Sequence, residues 1–350
     1  MRKNIIIIGI LLLSLITISI LLLNTFNSRN GFKRIYTSND IVLSKEFNLK
    51  SLPVKIKDIC NIDDKNKYLY ISTFDPRFYF IFDDNLNLLD TLKIGFDTKL
   101  TQYVKSGFDA SVVDSVLLIY AKNGGFIIRH NIGSDTYNTF STESKLITKS
   151  VTLDNTYSTL RIFNKDNSQS FIKINNQNGK EVAKGNILDS DIKSGFSTDG
   201  MLVSNHNDSL ILYIQYYTNK FYCLNKNLEL VYESHTIDTI YHNPIENGKF
   251  HTKKSGQFMP EVPLKIINKY ADSYEDKLII NSSLIADNDP LNLLQNSYIF
   301  DIYSALNGNY ISSITIPKNG TKSLHDFKVY HNKLILLCDN KLLIINANLP

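Results

Sequence analysis

Tryptophan is absent from this 350-residue chain. Any repeat keyed on a Trp-Asp dipeptide is therefore excluded. Cysteine is scarce: Cys60, Cys223 and Cys338 make an odd count, and no two share a metal or redox spacing. This excludes zinc templates and C-x-x-C redox chemistry and leaves buried free thiols acting as small apolar residues. The chain lacks G-x-S-x-G, H-E-x-x-H, Walker A and G-x-G-x-x-G motifs, so the common hydrolase, metalloprotease and nucleotide-binding signatures are missing. A basic excess is also missing where it would matter. Five of the 38 Lys and Arg flank an apolar run near the N-terminus, which leaves 33 against 34 Asp and Glu for the rest. A near-neutral domain has no electrostatic footprint for nucleic acid.

What the chain does hold is a repeat. Asn66–Ile71, Asp114–Ile119, Asp208–Tyr213, Asp276–Ile280 and Asn332–Leu337 share one template: a turn-forming Asp or Asn, a polar residue, then an apolar strand. A weaker copy lies at Thr156–Leu160. Four-stranded units repeating at about 40–50 residues are the signature of a β-propeller. The fold class is therefore all-β, a six-bladed β-propeller. Blades are expected at residues 50–95, 100–141, 146–187, 193–234, 262–316 and 322–348. The last blade is one strand short. Ile41 to Leu49 belongs to no other blade and is expected to supply that strand and close the ring, protecting edges that would otherwise template aggregation.

Two segments break the rhythm. His235–Glu261 separates the outer strand of blade 4 from the inner strand of blade 5, and Leu284–Asn296 separates the second and third strands of blade 5. Both connections emerge on one face of a propeller, so the two insertions should meet there. Long loops in a compact domain are usually functional or disordered.

Ile5–Leu23 carries no charge and is apolar apart from Gly9, Ser14, Thr17 and Ser19. It is long enough for a bilayer core of about 30 Å. No small-residue cleavage site follows, so the expectation is an uncleaved single-pass helix: residues 1–34 as anchor and linker, 35–350 as propeller. Arg2 and Lys3 precede the run, and Arg29, Lys33 and Arg34 follow it. The short N-terminus favours a cytoplasmic start and a propeller on the outer side of the cytoplasmic membrane.

Candidate ligand contacts come from recurrent Lys-Ser pairs near the start of each blade: Lys50, Lys105, Lys149, Lys193, Lys254 and Lys322, each followed by Ser. A partial ring of ammonium groups at the channel mouth would attract an anion. Of these, Lys105, Lys193, Lys254 and Lys322 are taken as binding residues, with Arg77 after Phe74-Asp75-Pro76 and His242 in the first insertion. For Arg77 the competing reading is a local pair with Asp75. His235, His242 and His251 match no zinc template, so no metal ligand is assigned. Tyr216, Tyr217, Tyr222, Tyr232 and Tyr241 make blade 4 aromatic, for packing or for a ligand surface. Asp97, Asp189, Asp191 and Asp238 fall in connections that would face the channel.

The anchor, then Asn30-Gly31-Phe32-Lys33-Arg34, Tyr68-Leu69-Tyr70-Ile71 and Asn85-Leu86-Asn87-Leu88-Leu89-Asp90-Thr91, resemble membrane-anchored six-bladed propellers of the TolB-like and NHL-like kind, as found in Bacteroidota. The sialidase Asp-box and the glycine richness of NHL repeats are missing. The resemblance implies fold and placement only. The expected function is a binding or scaffolding module for a protein partner or a small anionic ligand. The alternative is a metal-dependent hydrolase, lactonase-like or glycan-acting. No cofactor is assigned.

Overall fold

The computed structural model describes residues 30–37, 41–63, 67–105, 107–122, 124–142, 146–164, 168–188, 198–205, 210–242, 250–252, 258–260, 265–347 and 349. Six four-stranded antiparallel sheets form in chain order. The first holds β2 (Ile56–Asp63), β3 (Tyr68–Thr73), β4 (Phe78–Phe82) and β5 (Leu88–Lys93). The second holds β6 (Phe108–Val113), β7 (Val116–Ala121), β8 (Phe126–Asn131) and β9 (Thr136–Ser141). The third holds β10 (Leu146–Thr152), β11 (Tyr157–Phe163), β12 (Gln169–Asn175) and β13 (Glu181–Gly185). The fourth holds β14 (Gly200–Asn205), β15 (Leu210–Gln215), β16 (Lys220–Leu224) and β17 (Leu230–His235). A two-stranded ribbon, β18 (Phe250–Thr252) and β19 (Phe258–Pro260), interrupts the series. The fifth holds β20 (Asn268–Tyr274), β21 (Lys277–Ser282), β22 (Ser297–Ser304) and β23 (Tyr310–Pro317).

The sixth sheet contains β24 (Leu324–Tyr330), β25 (Lys333–Cys338) and β26 (Lys341–Asn346), with β1 (Val42–Asn48) as its outer strand. β1 runs antiparallel to β26 from Val42 opposite Asn346 to Asn48 opposite Lys341. The expected closure by the segment after the linker is thus present. Phe47 of β1 meets Phe82 of blade 1 edge-on at 5.0 Å between centroids, so the strand also seals the seam to the next blade.

Inner strands touch in a ring, β2 to β6 to β10 to β14 to β20 to β24 and back to β2. The apolar core is correspondingly split into six seams, one between each pair of adjacent blades. Second strands such as β7 are buried along their whole length, because both sheet faces pack on neighbouring blades. This is why they read as continuous apolar runs rather than alternations. Outer strands such as β5 are mostly exposed.

The template turn also has a backbone reason. Lys67, Asp114, Ser115, Glu275 and His331, at the turns leading into second strands, all have left-handed φ between 45° and 61°. Short polar residues around such turns hydrogen-bond locally and tolerate the strain. Asp83 and Asn225 cap matching hairpins: each side chain accepts from the backbone two and four residues on, at 2.8–3.1 Å. Each turn puts a leucine at positive φ, Leu86 and Leu228. Both leucines are buried in a seam, which offsets the strain.

The cysteines are free and buried. Among the described residues no helix is long and apolar enough to cross a membrane. The apolar run expected to do so lies outside them.

Candidate functional site at the channel mouth

The inner strands surround a cavity of about 910 Å³ on the ring axis. Chain direction sorts its lining. Each inner strand starts, and each second strand ends, at the disc end that carries the two insertions. Lys57 and Asp58 on β2, Asp109 on β6, Lys269 and Tyr270 on β20, and His325 and Asp326 on β24 all sit near strand starts. Lys122 and Tyr216 follow the ends of β7 and β15. Lys149, Asp272 and Lys328 lie midway. The far end mixes apolar side chains, Ile62, Val112, Val113, Tyr274 and Tyr330, with the uncharged polar Asn61, Thr152 and Ser204, and has Asp114 at its margin. Charge is therefore concentrated at the insertion end.

Most of these charges are coupled. Lys122 Nζ lies 2.7 Å from Asp109 Oδ1, and Ser150 donates to Asp109 Oδ2 at 3.2 Å. Burial pushes the Asp109 carboxyl up, but Lys122, Lys57 and Lys149 outweigh it and hold the group below its ordinary value. Lys57 pairs with Asp58 and stands 4.7 Å over the Phe108 ring. Burial works against its charge; Asp58 and Asp109 override that and raise its pKa. Lys328 pairs with Asp272 at 3.3 Å. Lys149 Nζ donates to the Tyr216 hydroxyl at 3.0 Å. No carboxylate among the described residues lies within ion-pair distance of Lys269.

Asp326 is the exception among the acids. Burial pushes its carboxyl up to about 7, Lys328 opposes the shift and Asp58 adds to it. Its two oxygens accept from the Ile59 and Phe327 backbone N–H groups at 2.9 and 2.8 Å. The mouth and upper wall thus carry five lysines, Lys57, Lys122, Lys149, Lys269 and Lys328, against four aspartates, Asp58, Asp109, Asp272 and Asp326, and burial disfavours the charge of the last. The Cys60 thiol also lines the cavity, but burial pushes it up to about 12, so it holds its proton.

Among the described residues, the sequence-expected contacts do not line this cavity. Arg77 binds Asp75 in a fork, Nε to Oδ1 at 3.0 Å and Nη2 to Oδ2 at 2.8 Å. Lys105, at the end of helix α1 (Thr98–Lys105), reaches the same Asp75 Oδ2 at 3.1 Å. The structure brings these two together on one carboxylate at the rim, next to Phe74, which lines the cavity. The Arg77 fork holds Asp75 far below the ordinary carboxylate range. Lys322 is exposed between blades 5 and 6, and its backbone N–H is held by Asp339 at 2.6 Å. His242 is exposed in the first insertion. Lys193 and Lys254 lie outside the described residues. Of the Lys-Ser pairs, Lys149-Ser150 lines the cavity, while Lys50-Ser51 sits in a one-turn 3₁₀ segment capped by Asn48.

Other acids expected at the channel do not face it. Asp97 caps α1, accepting from Leu100 N at 2.7 Å, and Asp238 is buried in a turn, accepting from Ile240 N at 2.9 Å. Asp189 and Asp191 lie outside the described residues. Of the acids that line the cavity, Asp58, Asp109, Asp272 and Asp326 come from inner strands and Asp114 from the turn after β6. Tyr216 likewise serves the mouth, while Tyr232 packs between blades 4 and 5 and donates to Ala305 O at 2.6 Å. No group of three His, Cys, Asp or Glu among the described residues is placed to hold a metal ion.

The insertions do meet, on a third element. Phe32, Ile267, Leu284 and Ala286 form one apolar cluster joined by Ile237 and Ile240. Residues 30–37 run across this end as a strap. Asp287 accepts from Asn30 N at 2.8 Å, Asn288 from Arg34 N at 2.9 Å, and Asp289 from Arg34 Nη1 at 2.5 Å. The Asp-Asn-Asp run of the second insertion is a cradle for the chain's own N-terminal segment.

No protein-family model and no curated protein matches the chain. Solved propellers do. A member of the DUF4221 family from Bacteroides vulgatus is 10% identical with a TM-score of 0.56, covering 90% of this chain and 99% of that one. Virginiamycin B lyase from Staphylococcus aureus is 9% identical with a TM-score of 0.51, covering 88% and 99%. At these identities the likeness concerns the fold alone.

Proposed function

We propose that this chain is an anchored extracytoplasmic propeller that binds a small anionic ligand in the insertion-end mouth of its channel. The observation that supports this reading is the excess of lysine over aspartate at the mouth of a cavity whose far end carries few charged side chains. Low-dielectric walls lined with one dominant sign of charge focus the field on an entering anion. Lys269 and Lys149 are the primary contacts, Lys57 and Lys122 complete the wall, and Tyr216 and Tyr270 supply apolar sides. Arg77 and Lys105 with Asp75 form a rim of net charge +1 that admits the ligand. The anchor is read from Ile5–Leu23 and its flanking charges.

Thermal denaturation of the purified protein against organic mono- and dicarboxylates and phosphate esters tests the reading. A ligand at about 100 times its Kd should add about 2.7 kcal/mol of stability. Losing a charge-assisted hydrogen bond costs about 1.5–3 kcal/mol, so Lys149→Ala and Lys269→Ala should each weaken binding roughly 10- to 100-fold. A panel in which no anion raises the melting temperature would refute the proposal.

A further inference from the structure

The two ends of the disc differ in charge. In the connections between strands at the insertion end, the described residues include nine Lys and Arg against seven Asp and Glu. Two of those acids, Asp238 and Asp289, are buried. At the opposite end the described residues of the connections include three Lys and Arg against eight Asp and Glu.

They differ again in exposed apolar surface. Outside the strands and the strap, large apolar side chains more than a third exposed occur at the insertion end at Val54, Phe74, Tyr103, Tyr241, Ile266 and Leu291. Among the described residues the opposite end offers Leu306 alone. Basic residues mixed with exposed aromatic and aliphatic side chains match the interface of an anionic bilayer: cations meet lipid phosphates, and rings sit at headgroup depth.

The strap leads to the same place independently. Asn30 is pinned at the insertion end, its side chain donating to Ile285 O at 2.6 Å and its carbonyl accepting from Thr239 Oγ1 at 2.7 Å. The apolar run ends at Leu23, seven residues upstream. Seven residues span at most about 25 Å when fully extended. The opposite end lies farther away by the length of an inner strand, about 20–25 Å at ~3.3 Å per residue.

We infer that the insertion end docks onto the anionic bilayer that holds the anchor, so that the channel mouth opens toward the lipid headgroups. This rests on the anchored reading above. The acidic end then points away from the membrane, which like-charge repulsion requires.

The test uses the full chain reconstituted into vesicles, with a fluorophore on Tyr103→Cys or on Leu306→Cys. Both positions are exposed, and the three native cysteines are buried and spared. A quencher is carried on the lipid headgroups of phosphatidylcholine vesicles with or without phosphatidylglycerol. Quenching at position 103 should exceed that at 306 about twofold or more, given the ~20 Å between ends. The difference should grow with phosphatidylglycerol and shrink as salt screens the surface. Equal or reversed quenching in a chain that still sediments with the vesicles overturns the docking and leaves the anchor standing; an acidic protein would then be the partner for this end. A chain that stays in the supernatant overturns the anchor, and the docking with it.

Discussion

Arg34 uses all five of its N–H donors inside the fold. Nε and Nη2 grip Asp301 at 2.7 and 3.1 Å, Nη2 also reaches Ser282 Oγ, and Nη1 spans Asp289 and the Leu284 carbonyl. Its side chain and that of Asp289 are fully buried. In the sequence it looks like one of several basic residues flanking an apolar run, and nothing local announces its two carboxylates more than 250 residues away. Removing one partner of a buried pair strands the other and costs about 3–5 kcal/mol. Arg34→Met should therefore lower the melting temperature by roughly 10 °C, at about 2–4 °C per kcal/mol for a domain of this size. Arg34→Lys should recover only part of that, because an ammonium cannot fork to Asp301 and still reach Asp289. A melt of Arg34→Met within a degree of the parent would contradict this account. Asp326 makes the complementary case. Its folded pKa of about 7 lies above the unfolded carboxylate value. The folded state therefore holds this proton longer, and the stability it contributes is complete below about pH 4 and lost as pH rises through 7. Asp326→Asn should flatten the stability profile over that window. It should also raise stability at pH 8 by roughly 1–3 kcal/mol, since each tenfold difference in proton affinity between the folded and unfolded chain is worth about 1.4 kcal/mol. Denaturant titrations at pH 5 and pH 8 read this directly; a variant with an unchanged pH slope would show that Asp326 is ordinary.

At the scale of elements, β1 is the decisive strand. It contributes one edge of blade 6, the Lys341–Glu46 pair at 2.8 Å and the Phe47–Phe82 contact that joins the last blade to the first. Deleting residues 42–48 should expose the backbone edge of β26 and open a seam. The expected result by circular dichroism is loss of the single cooperative melt, together with aggregation; a melt superimposable on the parent would refute ring closure by this strand. This element was legible because strand periodicity and a blade one strand short together define a vacancy that only one segment fills. The second strands were legible because burial on both faces makes them uninterrupted apolar runs. The mouth was not. Its charged residues are spread one or two at a time over five inner strands and the turn after β7, in sequences such as Phe108-Asp109-Ala110 that any half-exposed strand would show. Among the described residues, Lys-Ser pairing followed loop composition rather than the axis, and of those pairs only Lys149-Ser150 reached the cavity. The second insertion was legible as an interruption, but its role as a cradle depends on Phe32 and Arg34, which belong to the other end of the chain.

Across the whole molecule the charge asymmetry acts beyond contact distance. With a basic insertion end and an acidic opposite end, an approaching anion meets an attractive potential on the side where the channel opens. Such a field changes the rate of encounter more than the lifetime of the complex, because the charges that steer are not those that hold. Lys105 and Lys322 are exposed at the insertion end and do not line the cavity. Reversing both, Lys105→Glu with Lys322→Glu, should slow association of an anion identified by thermal denaturation several-fold at low salt while leaving its dissociation rate within about twofold. The difference should vanish as added salt shortens the screening length to below about 10 Å. Lys149→Ala should do the opposite, raising the dissociation rate with little effect on association, because Lys149 sits midway down the wall. Stopped-flow traces at two salt concentrations separate the two classes. If the rim reversal changed dissociation instead, the rim lysines would be contacts in their own right, and the ligand would have to sit across the mouth rather than inside it.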